Sequence, residues 1–315
     1  MISRLLLDLF CFRTKVWTSP PCPHFAFSWE CWRFLARIAL ARGGLMGNSP
    51  PMRIMTWNIN SLRLRLPLLE RLCAENQPDI VCLQETKVTD DLFPLDAVQA
   101  LGFPHVCFRG MKSYNGVAIL SRQPMRMLTD TPDWCDRGDC RHIAVEYGEG
   151  ADAVTVHDFY VPAGGDIPDP VENPKFAHKL AFVEEARAWF AQRDVRRTVV
   201  VGDLNIAPLE HDVWSHRQLL KIVSHTPEET SRLLAWQNSG FVDAMRHFVP
   251  ADEKLYTWWS YRNRDWSASN RGRRLDHVWV TPDLVPALRD MSVLRPVRDW
   301  EKPSDHVPVI VDLAI

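Results

Sequence analysis

Long apolar runs are missing from this chain. The best of them, 5–12, is short and interrupted by Asp8, far below the ~20 residues a membrane-spanning helix needs. No small-x-small cleavage site follows it, which argues against a secretory signal. There is no Gly-rich phosphate loop and no Gly-x-Ser-x-Gly elbow, so neither P-loop nor serine-hydrolase chemistry competes for the functional reading. The eight cysteines, at 11, 22, 31, 73, 82, 107, 135 and 140, make no Cys-x-x-Cys pair and no zinc-like spacing. Cys73 and Cys82 fall in apolar runs and read as small buried hydrophobes. Without a disulfide framework, a reducing cytoplasm is the expected setting. An excess of either charge is also lacking: the net is −2. Composition therefore gives no sign of a polyanionic partner, although a local basic groove can sit on an acidic body.

What is present is ordinary globular material, 46% hydrophobic and 24% charged over 315 residues, enough to bury a substantial core. Residues 1–51 differ from the rest. They hold six Lys/Arg and two acids, leaving 31 basic and 37 acidic residues, a net of −6, for 52–315. Their Arg-rich, acid-poor composition resembles an organelle transit peptide. The simpler expectation is a non-domain extension from a misassigned start, with Met46 or Met52 as the true one, followed by a single domain over 52–315.

From Met52 the pattern is α/β, without repeats or low-complexity linkers. Short Val- and Ile-rich runs predict strands at 53–57, 80–84, 116–120, 142–146, 154–160, 198–202, 277–280 and 307–312. Helices are expected at 66–75, 174–193, around 214–221 and at 228–239. Two packed β-sheets with helices outside accommodate this many strands, a four-layered α/β sandwich of two mixed sheets. A single doubly wound sheet competes, but strands and helices do not alternate as it requires.

Five places repeat one design, in which an apolar strand meets Asp, Glu, Asn or His. Asn58 and Asn60 end the first strand; Gln84-Glu85-Thr86-Lys87 ends the second; Asp203-Leu204-Asn205 ends a central one. Asp276 and the pair Asp305-His306 each open one. Rigid sheets aim side chains well at strand ends, where α/β active sites gather. Each place alone has a plainer reading: a capped turn for Asn58 and Asn60, a surface ion pair for Glu85 with Lys87, an Asx turn at Asp203. Together they supply four acids (Glu85, Asp203, Asp276 and Asp305), three asparagines and a histidine. Hard oxygen ligands with few sulfurs favour Mg²⁺ or Mn²⁺ over Zn²⁺. Metal, amides and imidazole are what phosphodiester hydrolysis requires.

The motifs MRIMTWNINSLR, DIVCLQETK, YNGVAILSR, FYVPAGG, VGDLNIAP, RRLDHVWV and KPSDHVPV, with NPKFAHKL and Trp258-Trp259, occur in this order. Over essentially all of 52–315 the chain resembles the bacterial exonuclease III-type apurinic/apyrimidinic (AP) endonucleases. These lie within the endonuclease/exonuclease/phosphatase superfamily, which the QETK and SDH motifs mark on their own. The resemblance implies Glu85 as principal metal ligand with Asn60 and Asp305 near the ion, Mg²⁺ as cofactor and Mn²⁺ as substitute. It implies that Asp203 positions or deprotonates water, and that Asn205 and Asn58 hold phosphate oxygens or orient Asp203. His306, oriented by Asp276, would contact the phosphate or act as base, and both Asp203 and the His306–Asp276 pair remain chemically adequate as that base. Tyr160 would bind phosphate or assist the leaving group, with Lys87 and Arg141 as electrostatic supports. The reaction implied is hydrolysis 5′ to abasic sites in duplex DNA leaving a 3′-hydroxyl, removal of 3′-blocking groups and 3′→5′ trimming. A monomer acting on nucleoid DNA, without a membrane, is implied too.

DNA contacts are expected from Tyr256–Trp266, which interleaves aromatics with arginines, and from Arg271, Arg273 and Leu275. Five arginines between 262 and 274 suit phosphates, while Trp258 and its neighbours suit stacking, wedging or a pocket for a base-less sugar. Arg273 departs from the family pattern, which has Leu or Trp beside the flipped sugar. Its charge makes the pocket less apolar or points at a phosphate. Two other readings are kept: a phosphoesterase acting on lipid or inositol phosphates, and a non-catalytic DNA-binding module. The first calls for apolar loops where this chain has Arg and Trp. The second calls for loss of Glu85, Asp203 or His306, and all three are present.

Overall fold

A computed structural model describes residues 51–315. The expectations for 1–50 lie outside the described residues. Twelve strands form two six-stranded mixed sheets. The first has the order β11-β12-β1-β2-β4-β3, with β4 at Tyr114–Ser121, and the second β5-β6-β7-β8-β10-β9, with β6 at His142–Tyr147. The strands nearest the site are β1 (Met52–Asn58), β2 (Ile80–Gln84), β7 (Val154–Tyr160), β8 (Thr198–Asp203), β10 (Asp276–Val280) and β12 (Val309–Leu313). Each sheet has one central parallel pair, β1 with β2 and β7 with β8. The expected sandwich of two packed mixed sheets flanked by helices is found, and the single doubly wound sheet is not.

The period of two along each strand builds the layers. On β1, Met52 and Ile54 face the inter-sheet core with Val156, Val199 and Val278. Met55 and Trp57 face outward against Leu69 and Leu72 of α1 (Leu62–Asn76). On the second sheet Phe159, Val200 and Trp279 pack under Phe182, Val183 and Phe190 of α3 (Pro174–Ala191) and Leu233 and Trp236 of α5 (Pro227–Gln237). Each such buried side chain contributes about 1.5–3 kcal/mol. Near the site the inner layer turns polar: Gln84 Nε2 donates to Thr56 at 3.0 Å and across the sheets to Asp158 at 2.6 Å.

Helix α1 starts at Leu62, four residues earlier than expected, and bends at Arg65 (φ −113°) before Pro67, where the ring removes a donor and crowds the previous turn. Asn173 caps α3 by accepting from Lys175 N, with Pro174 at the first helical position. The helix expected around 214–221 shrinks to α4 (His216–Leu219). Strands β3 (His105–Met111), β5 (Met125–Met127), β9 (Val242–Asp243) and β11 (Leu288–Val293) were not expected. Nor were three short helices, α2 (Leu95–Ala100), α6 (Ala244–Phe248) and α7 (Trp266–Ser269). Among the described residues no helix is long and apolar enough to cross a membrane.

Candidate active site

The strand-end residues converge. Asn58 follows Trp57 at the end of β1 and pairs in register with Gln84, which precedes Glu85. On the second sheet Tyr160 pairs with Asp203, and Asp203 with Asp276. Gly202 makes this approach feasible: at its φ of 134° a Cβ would lie 1.9 Å from Phe159 O, so only glycine lets β8 close on β7 there.

Side chains then bridge the sheets. Asn58 Nδ2 donates to Glu85 Oε1 at 2.9 Å and to Asp203 Oδ2 at 2.8 Å. Tyr160 OH donates to the same Glu85 oxygen at 2.8 Å. Asn205 donates through its backbone N to Asp203 Oδ1 at 2.9 Å and through Nδ2 to Oδ2 at 3.1 Å. Asp276 Oδ2 lies 2.8 Å from His306 Nδ1, and His306 Nε2 faces Asp203 Oδ2 at 3.6 Å. Asp305 accepts from Asn60 Nδ2 at 3.1 Å and Trp258 Nε1 at 2.9 Å. Glu85, Lys87, Asn60 and Asn205 all have φ near +50°, a conformation that costs non-glycine residues energy and recurs at functional sites.

Charge follows from this packing. Burial raises Asp203 to about 7, with Asp276 and Glu85 adding to it and His306 and Asn58 opposing. Burial opposes charge on His306, but Asp276 and Asp203 outweigh it and lift the imidazole to about 10. Burial likewise works against an ionised Glu85, yet Lys87 and the donors Asn58 and Tyr160 hold its carboxyl below the usual range. The Tyr160 phenol is pushed up by burial and by Glu85, so it remains a donor. Asp203, Asp276 and His306 bring ligand atoms within 4.8 Å of one another. Each imidazole nitrogen already faces a carboxylate, however, and a protonated ring has no lone pair for a metal. The better oxygen set is Glu85, Asn60 and Asp305. Glu85 Oε2 and Asn60 Oδ1 already converge on one cation, the Lys87 ammonium, at 2.7 and 2.5 Å.

A cleft of about 910 Å³ opens from this cluster, lined by Glu85, Tyr160, His306, Trp214, Trp258 and Arg273 among others. Arg271 lies 4.7 Å from the Trp214 ring centre, and Leu275 is a buried apolar wall. Arg141 lies over the Tyr160 ring at 4.8 Å, donates to Tyr160 O at 3.3 Å and pairs with Asp139. Lys87 does pair with Glu85, but inside the site rather than on an open surface.

The five-arginine patch needs correction. Arg274 is fully buried, bound to Asp212 at 2.7 Å and Asp243 at 2.5 Å, and faces no DNA. Trp259 and Trp266 are likewise core residues. Sequence reasoning also missed Arg65, whose guanidinium meets Ile59 O, Asn60 O, Lys302 O, Pro303 O and Tyr261 OH. It pins the loops bearing Asn60 and Asp305, and no local pattern announces it. Thr257 Oγ1 similarly holds the backbone of Leu275 and Asp276, each at 3.1 Å.

Comparison with known proteins identifies the family. The model of the endonuclease/exonuclease/phosphatase family matches residues 55–306. Exodeoxyribonuclease III of Haemophilus influenzae is 30% identical over 271 residues, 82% of this chain and 98% of that protein. The DNA repair nuclease APEX1 of Danio rerio is 28% identical, covering 85% of this chain and 84% of its own. Among solved structures, an AP endonuclease from Archaeoglobus fulgidus matches with a TM-score of 0.77 at 31% identity, over 84% of this chain and 100% of that one. A Neisseria 3′ phosphatase bound to a product DNA hairpin matches with a TM-score of 0.76 at 33% identity, over 83% and 99%. The chain belongs to the endonuclease/exonuclease/phosphatase family.

Proposed function

We propose that this chain is a metal-dependent DNA-repair nuclease that hydrolyses the phosphodiester 5′ to abasic sites in duplex DNA, and that removes 3′-blocking groups and 3′-terminal nucleotides. The observation that carries the reading is the buried junction of Asn58, Glu85, Asp203 and Tyr160 beside His306–Asp276, opening into a cleft walled by indoles and guanidiniums. A lipid or inositol phosphate reading lacks support, because that wall is aromatic and cationic rather than an apolar membrane loop.

Glu85, Asn60 and Asp305 offer hard oxygens, two of which already surround an ammonium, a donor set suited to Mg²⁺ with Mn²⁺ as substitute. A bound divalent ion supplies positive charge against the phosphate oxygens. The chain's own residues do the rest. Asp203, raised to about 7 and fixed by the amides of Asn58 and Asn205, takes a proton from the attacking water. We take Asp203 rather than His306 as the base, because Asp276 against Nδ1 favours the charged form of the imidazole. His306, charged and held by Asp276, donates to a phosphate oxygen. Water oxygen bonds to phosphorus in line as the bond to the 3′ oxygen breaks, and that oxygen leaves as an alkoxide that takes a proton from solvent to become the 3′-hydroxyl. Tyr160 contributes a second neutral donor, and Arg141 beneath it holds the ring in place. Trp258 and Leu275 shape the space for a sugar without its base.

The test is Asp203→Asn, which keeps the hydrogen-bonding shape and removes the base. Duplex affinity should remain within a few-fold while cleavage falls by about 10²–10⁴. Cleavage within ten-fold of wild type would reject Asp203 as base.

A further inference from the structure

Among the described residues no carboxylate makes an ion pair with Arg273; Glu229 acts on it only at longer range. Its backbone is tied to Trp258 by reciprocal bonds of 3.0 Å, and its guanidinium lies 5.2 Å from the Trp258 ring centre. Nη1 donates to two neutral groups, Val223 O at 3.1 Å and Ser224 Oγ at 2.6 Å. Nε is buried without a partner, and among the described residues Nη2 makes no hydrogen bond and no carboxylate comes within ion-pair distance. Burial pulls this guanidinium down from its ordinary value, and Glu229, itself paired with Lys179, opposes that only in part. Its neighbour Arg274 illustrates the usual solution, with two carboxylates against it, and Arg65 meets five oxygens. A partly buried cation left unpaired costs stability unless something anionic completes it. Arg273 lines the catalytic cleft together with Glu85, Asn205 and His306.

Its position along the cleft says which anion. Trp258 is bridged on one side to His306 and on the other to Arg273. Arg273 therefore lies two strand spacings, about 10 Å backbone to backbone, from His306, and both side chains line the same cleft. We propose that Arg273 binds a second phosphate of the DNA strand, the one joined through a single sugar to the phosphate at the catalytic cluster. The inference rests on the functional reading given above and sharpens its substrate: the cleft favours strands carrying a phosphate 3′ of the occupied sugar over ordinary 3′-hydroxyl ends. That phosphate is either an internal diester or a terminal 3′-phosphomonoester.

Calorimetry with small ligands tests the site without turnover. With Ca²⁺ in place of Mg²⁺ the wild-type protein should bind a deoxynucleoside 3′,5′-bisphosphate about 10-fold more tightly than the 5′-monophosphate. Arg273→Leu and Arg273→Gln should bring the ratio near one, and Arg273→Lys should restore part of it, with thermal melting to verify folding. A wild-type ratio near one, or a ratio unchanged in the variants, overturns the proposal. Cleavage then separates the sources, using an internal abasic site, a terminal nucleotide with a 3′-phosphate and one with a 3′-hydroxyl. A rise in KM on Arg273→Leu confined to the internal site identifies the diester. A rise on both phosphate-bearing substrates, with the 3′-hydroxyl end spared, identifies either phosphate. An equal loss on all three makes Arg273 a packing residue and rejects the inference. If wild type cleaves none of them yet keeps the calorimetric preference, the functional reading fails and the phosphate site stands.

Discussion

Asp276 Oδ2 lies 2.8 Å from His306 Nδ1, and both side chains are buried. This contact fixes the ring so that Nε2 faces Asp203, and it keeps the imidazole charged. Removing the imidazole with His306→Asn should lower the cleavage rate by about 10²–10⁴-fold. Asp276→Asn, which retains shape but weakens charge pairing, should lower it about 10–100-fold. Single-turnover rates on an abasic duplex measure both. A loss below ten-fold for His306→Asn would demote the ring to packing.

Glu85 carries the strongest metal expectation. Glu85→Gln should raise the Mg²⁺ concentration needed for half-maximal cleavage by at least about 10-fold. A Mg²⁺ titration of the cleavage rate reads this directly. An unchanged Mg²⁺ requirement would move the metal away from Glu85.

Much of this site is legible in the sequence because strand, turn and chemistry coincide there. Glu85, Asp203 and His306 each border an apolar run of nearly unbroken Val, Ile, Leu or Cys, and such runs are strands buried on both faces. Strands β3 and β11 escape the same reading because they are edge strands with half-exposed side chains, so hydrophobicity barely alternates. Arg65 and Arg274 escape for another reason. Their partners are backbone carbonyls at 302–303 and the carboxylates of Asp212 and Asp243, distant in sequence. Nothing local distinguishes them from arginines that face DNA.

The Arg274–Asp212–Arg246 cluster gives a stability prediction. Asp212 accepts from both guanidiniums, at 2.7 Å and 2.5 Å. Asp212→Ala leaves buried positive charge uncompensated and should destabilise the fold by about 3–5 kcal/mol. Urea unfolding at neutral pH measures it. A change under 1 kcal/mol would mean that water enters the cluster freely.

His277 supplies a pH dependence. Burial, with Arg274 adding to it, lowers the ring to about 4 from an ordinary 6.5. The unfolded chain then binds more protons between these values, so stability is full above about 6.5 and is lost as pH falls toward 4. The loss from this residue at pH 5 is about 2 kcal/mol. His277→Gln keeps a donor for Ile206 O, 2.8 Å away in the native protein, and should flatten this slope. Unfolding free energies at pH 7 and pH 5 decide it, and equal slopes in both proteins would refute a neutral buried His277.

Trp258 stands in the cleft with its indole nitrogen on Asp305. Trp258→Ala should weaken binding to an abasic duplex by about 10-fold, a value typical of one aromatic contact to nucleic acid. Fluorescence anisotropy in the presence of Ca²⁺ measures this apart from cleavage. Unchanged affinity would remove Trp258 from the DNA-binding surface.

The most direct measurement is incubation of the protein and Mg²⁺ with a duplex carrying one abasic site, beside an intact duplex, each with and without chelator. The expected result is a single incision 5′ to the abasic site, leaving a 3′-hydroxyl that a polymerase extends, and no incision once Mg²⁺ is chelated. An uncut abasic duplex, or incision that survives the chelator unchanged, would contradict it.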